Sequence, residues 1–133
     1  MEVKAMNTVI KAVENVSAAD TTETIVILLV PPGAYPIAFE ARVKTAFAGV
    51  TYPTVKVGEG TILNSFIPKQ PIDKIGGLKS GFARDGHTFC TSIIGGAQKA
   101  ETNRTIIATF ESTAGNLSSL TAGEIEFVLV YAE

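Results

Sequence analysis

His87 stands between Asp85 and Cys90, and a carboxylate, an imidazole and a thiol are the parts of a thiol nucleophile with an oriented base. The spacing works against that chemistry. On a strand, residues three apart point to opposite faces, so His87 and Cys90 do not meet there. Cys90 beside Phe89 and Ile93 reads as a small buried hydrophobe, and His87 as a polar residue of a loop or strand edge. A structural zinc site needs about four converging ligands, mostly Cys and His, and the chain holds one of each. Asp73, Asp85 and Glu59 are the carboxylates open to calcium, but they form no dense acidic loop.

Two further patterns imitate chemistry without carrying it. Gly76-Gly77-Leu78-Lys79-Ser80-Gly81 places a Lys-Ser pair after glycines. A phosphate loop needs glycine directly before the lysine and a helix after it, whereas Leu78 precedes Lys79 and no helical periodicity follows. Ser65, Ser80, Ser92 and Ser112 sit in no Gly-x-Ser-x-Gly elbow. Tyr35, Tyr52 and Tyr131 could stack on a sugar, and a carbohydrate-binding or adhesion module is the alternative reading, although the chain has no tryptophan. No catalytic, cofactor-binding or metal-ligating residue is assigned, and no enzyme is expected.

The elements that would position any surface are strands. From Tyr35 to Phe47, Ile37, Phe39, Ala41, Val43 and Phe47 share one parity, and Glu40, Arg42 and Lys44 share the other. A period of two turns the first set to a core and the second to water. At the end of the chain Ile125, Phe127, Leu129 and Tyr131 alternate with Glu124, Glu126, Val128 and Val130. The outer parity there starts acidic and ends apolar, as in a central strand or one covered by another subunit. Thr105 to Phe110 is a third strand. Thr24 to Val30 is a fourth, apolar on both parities, so both of its faces are expected to be covered; Pro31-Pro32-Gly33 ends it.

Weaker strands are expected at Ala5 to Val13, Thr54 to Val57 and Thr88 to Ile94, with a short one near Ile62 to Phe66 or Ile75 to Leu78. A tight connection is expected at Thr113-Ala114-Gly115-Asn116, and a half-turn near Leu117 to Leu120. Seven or eight short strands separated by Gly and Pro predict an all-β, single-domain antiparallel β-sandwich of jelly-roll type spanning residues 1–133. Residues 58–86, rich in Gly, Pro and Lys, read as a long surface excursion.

Composition narrows the function classes. With 133 residues and 46% apolar content, the chain can fold around one core without a disulfide or metal. Its net charge is −2 and its eleven Lys and Arg are scattered, which gives no nucleic-acid footprint. The longest apolar run, Ile25 to Pro32, falls far short of the roughly 20 residues of a spanning helix. The opening MEVKAMNTVIKAVENV has no signal-type apolar region, so Asn15-Val16-Ser17, Asn103-Arg104-Thr105 and Asn116-Leu117-Ser118 read as chance glycosylation patterns. A single cysteine fits a reducing compartment.

Two stretches carry a resemblance. Phe39-Glu40-Ala41-Arg42-Val43-Lys44-Thr45-Ala46-Phe47 leads through Tyr52-Pro53-Thr54-Val55-Lys56-Val57-Gly58, and the chain closes on Leu120-Thr121-Ala122-Gly123-Glu124-Ile125-Glu126-Phe127-Val128-Leu129-Val130-Tyr131. Together they resemble small jelly-roll virion structural proteins of tailed bacteriophages, of the head-decoration, head-fibre or tail-accessory type. Where such proteins often carry an Asp-rich segment after "Val-Gly", this chain has Glu59-Gly60-Thr61-Ile62-Leu63. The resemblance implies a protein made in the host cytoplasm and built into the virion, a homo-oligomer with a trimer favoured, and other virion proteins as partners.

Such a protein works through surface. The edges of the sandwich are open to another chain, and the first strand, Ala5 to Val13, and the last, Ile125 to Tyr131, are the ones expected to offer them. Val128 and Val130 are candidate interface residues, with burial under a second layer of the same chain as the competing reading. Ile62, Leu63, Phe66 and Ile67, on the excursion, complete the candidate interface set.

Overall fold

The computed structural model describes residues 9–59, 62–79 and 104–132. Eight strands are found among them: β1 (Val9–Ser17), β2 (Thr24–Val30), β3 (Tyr35–Ala48), β4 (Thr54–Glu59), β5 (Ile62–Pro71), β6 (Gly76–Gly77), β7 (Arg104–Glu111) and β8 (Ala122–Ala132). One antiparallel sheet runs β1-β8-β3-β6 and the other β2-β7-β4-β5. The pairs β1–β8, β2–β7, β3–β6 and β4–β5 nest inside one another. The chain thus folds as one long antiparallel ribbon, with β4 and β5 at its tip, rolled until β8 meets β3 and β7 meets β4. That is the jelly roll, and the expected fold class is what the structure has.

Local chemistry sets the corners. After β2, the Ala34 N–H donates to the Pro31 carbonyl (3.2 Å), and Gly33 takes φ +84. Proline at the second position and a left-handed glycine at the third are what such a turn asks for. Gly115 (φ +91) turns the chain after β7, and a single-turn 3-10 helix, Leu117–Ser119, follows where a half-turn was expected.

The core lies between the inner faces. Val43, Ile125, Phe127 and Leu129 of the first sheet meet Val55, Val57, Ile106 and Ala108 of the second. Two aromatic contacts cross the gap: Phe39 to Phe66, with ring centroids 5.4 Å apart, and Phe47 to Phe110, 6.1 Å. Each adds about 0.5–1.5 kcal/mol beyond the area it buries.

Four sequence expectations change. Ile37 shares the parity of Phe39 but is 47% exposed, because the ladder to β8 slips between Pro36 and Ala38 and the bulge turns the side chain out. β8 is a central strand between β1 and β3, so it offers no edge. β2 is not covered on both faces by the described residues. It lies at the edge of its sheet, with Val26 and Leu29 58% and 53% exposed. Within residues 58–86, a ten-residue β5 and the short β6 are strands of the two sheets. Residues 80–86, the expected strand at 88–94 and residues 5–8 of the first expected strand lie outside the described residues.

Candidate functional site: the outer face of the β1-β8-β3-β6 sheet

Each core residue of β8 forces its neighbours outward, so Glu126, Val128 and Val130 all stand on the solvent side of the sheet. Pairing extends this into rows. Val13 of β1, Val128 of β8 and Glu40 of β3 form one; Lys11, Val130 and Ala38 form the next; Asn15, Glu126 and Arg42 form a third. The face is therefore aliphatic along its middle and charged around it.

A groove of about 590 Å³ opens on this face. Ala38, Val128 and Val130 line it with small aliphatic groups, and Gly77 and Leu78 border it on the β6 side. It exists because the residues are small: a Cβ added at Gly77 would meet nothing within 4 Å. Three cations, Lys11, Arg42 and Lys79, stand around it against two carboxylates, Glu40 and Glu126. Glu126 is in turn paired with Lys44 at 3.7 Å. The local balance is positive in a chain whose net charge is −2. The Lys79 end is held in place by Gln70, whose Nε2 donates to the Lys79 carbonyl (2.7 Å) and whose Oε1 accepts from the Lys79 N–H (2.8 Å).

The edges are less open than their length suggests. β1 pairs with β8 over nine residues without a slip, and its other side is the edge of the sheet. Glu14, however, sits opposite Phe127, on the parity that faces the interior at Ala12 and Val16. Glu14 is nonetheless exposed, and a charged side chain on an edge strand resists continuation of the sheet by another chain.

The candidate interface residues separate. Val128 and Val130 lie together, half-buried, on the outer face, and no second layer of described residues covers them. Phe66 and Ile67 are fully buried in the core, Phe66 against Phe39, so their side chains present no surface. Their place corrects the expectation: a segment poor in periodicity hid a strand whose bulges break the alternation of its inward residues. Ile62 opens β5 opposite Glu59, and Leu63 follows it in the strand. Sequence reasoning missed Lys11, Ala38, Gly77 and Lys79. The outward parity of β3 already pointed to Glu40 and Arg42; only the pairing of β3, β8 and β6 brings the others beside them.

Among the described residues, the chemistry-bearing side chains form no cluster. Asp85, His87, Cys90 and Ser80 lie outside the described residues. Among the described residues, no three His, Cys, Asp or Glu side chains come together as metal ligands, and no helix is long and apolar enough to cross a membrane. Tyr35 and Tyr131 belong to adjacent rows of the β3–β8 ladder, whereas Tyr52 lies beyond the other end of β3, so the three tyrosines form no common platform.

The fold has counterparts. A chain of the acidic stable capsid structure of Helicobacter pylori bacteriophage KHP30 superposes with a TM-score of 0.58 at 13% identity, over 96% of this chain and 94% of that one. A chain of the cyanophage Pam1 capsid asymmetric unit gives a TM-score of 0.64 at 10% identity, over 99% of this chain and 89% of that one. No protein-family model and no curated protein matches the sequence.

Proposed function

We propose that the chain is a non-enzymatic structural component of a virus particle that associates with itself and with neighbouring particle proteins, a capsid decoration or head or tail accessory piece. One observation carries the reading: the jelly roll matches chains of two phage capsid structures along nearly its whole length, at identities that speak for fold alone. The outer face of the β1-β8-β3-β6 sheet adds to it. Aliphatic groups ringed by charge suit a protein contact, the aliphatic part for affinity and the charges for register. A trimer is the state that the resemblance to virion structural proteins favours, and closed rotational symmetry would make such an assembly finite.

Two measurements test this. Particles purified by density from the source culture are expected to contain the 14.0 kDa chain at a fixed ratio to the shell protein. A chain found only in the soluble fraction, and never in particles, sinks the reading. Light scattering on a sizing column is expected to give about 42 kDa, three times 14.0 kDa. A monomer at every concentration removes the trimer and leaves a component that docks only on its partners.

A further inference from the structure

The groove has a counterpart elsewhere on the same chain. β1 and β2 are joined through a 3-10 turn, Ala18–Asp20, and this corner is acidic: Glu14, Asp20 and Glu23 are all exposed. Ser17 pairs with Glu124 at the start of β8, which brings a fourth carboxylate to the same end. The apex itself is Ala18-Ala19, small and aliphatic. The corner is also held in shape. Ser17 Oγ donates to Asp20 Oδ2 (3.0 Å), Thr21 Oγ1 donates to the Ser17 carbonyl (2.8 Å), and the Thr21 N–H donates to the Ala18 carbonyl (3.2 Å). A preformed projection binds without first paying for its own ordering.

We infer that this acidic Ala18-Ala19 corner of one copy seats in the cationic groove of the next, so that the protein assembles head to tail. The proposal rests on the self-association in the reading above and names the two surfaces that make it. Charge is complementary: carboxylates at 14, 20 and 23 face Lys11, Arg42 and Lys79. Size is complementary too, since two alanines enter a groove floored by Ala38, Val128 and Val130. The alternative, sheet continuation through β1, is opposed by the charge of Glu14 on that edge strand. Because the two surfaces differ, the contact repeated in one direction, head to tail, closes as a ring.

The test uses two variants of the full chain. Gly77→Leu fills the groove at a position where a side chain meets open space. Glu14→Lys with Glu23→Lys reverses the corner and leaves the Ser17–Asp20 contact intact. Arg42→Glu with Lys79→Glu serves as a second groove variant, and circular dichroism with thermal melting confirms that each one folds. Wild-type chain is expected to run as an oligomer on light scattering, and each variant alone as a monomer, with self-association weakened by about tenfold or more. An equimolar mixture of Gly77→Leu with the reversed corner retains one intact corner and one intact groove. It is expected to stop at a dimer of about 28 kDa, twice 14.0 kDa. A wild-type oligomer that survives in either folded variant overturns the head-to-tail contact while leaving self-association standing. A wild-type monomer at all concentrations overturns the contact, while presence in purified particles decides the virion reading separately.

Discussion

Gly123 lies against the ring of Phe47, so near that a Cβ at 123 would enter the space of ring atoms Cγ, Cδ2 and Cε2. The two residues come from the two stretches that carry the resemblance, Val43-Lys44-Thr45-Ala46-Phe47 and Thr121-Ala122-Gly123. Their chains are tied together there: the Thr121 N–H donates to the Ala48 carbonyl at 2.8 Å. Phe47 fills the core toward Phe110, and Gly123, at φ +146, is what lets β8 start directly over the ring.

Gly123→Ala is therefore expected to destabilise the fold by roughly 2–4 kcal/mol, from backbone strain together with displacement of the ring. Urea denaturation measures it. A loss below about 0.5 kcal/mol would mean that the close approach is not there.

Phe66→Ala and Val128→Ala separate core from surface. Phe66 is fully buried between the sheets, and its truncation is expected to cost about 3–5 kcal/mol. Val128 stands half-buried on the outer face, and its truncation is expected to cost under about 1 kcal/mol while weakening assembly. Equal losses in thermal stability would contradict the placement of Phe66 inside and Val128 outside.

Gly33 and Gly77 are expected to respond in opposite directions to alanine. Gly33→Ala forces a side chain to φ +84 and costs about 1 kcal/mol although space is free. At Gly77 the backbone is not left-handed and space is again free, so Gly77→Ala is expected to be neutral or to stabilise by up to about 1 kcal/mol. Paired thermal melts read both.

Thr54 and Thr109 each bury a hydroxyl that finds no hydrogen-bond partner among the described residues. Thr54→Val replaces it with a methyl of similar shape, and a gain of about 0.5–2 kcal/mol in urea is expected. A loss of more than about 1 kcal/mol would show that the hydroxyl is satisfied.

The alternation in β3 and β8 was legible because burial on one face leaves a period of two in the residue types, and Phe39, Val43, Phe127 and Leu129 are all in the core. It failed at Ile37 and in β5, where the ladders slip and the period is lost without any signal in composition. Phe66 and Ile67 show the cost: both read as surface and both are core. The outward parity of Val128 and Val130 was legible too, since neither could share the inner face with Phe127 and Leu129.

By itself, the sequence determined an all-β chain of short strands ended by proline and glycine, because backbone geometry and side-chain alternation are local properties. Only the tertiary structure decided which strands neighbour which. Rolling the ribbon set β8 inside its sheet rather than at an edge, and it placed Lys11, Arg42, Gly77 and Lys79, far apart in the chain, around one groove. Strand order depends on contacts distant in sequence, and no local pattern encodes them.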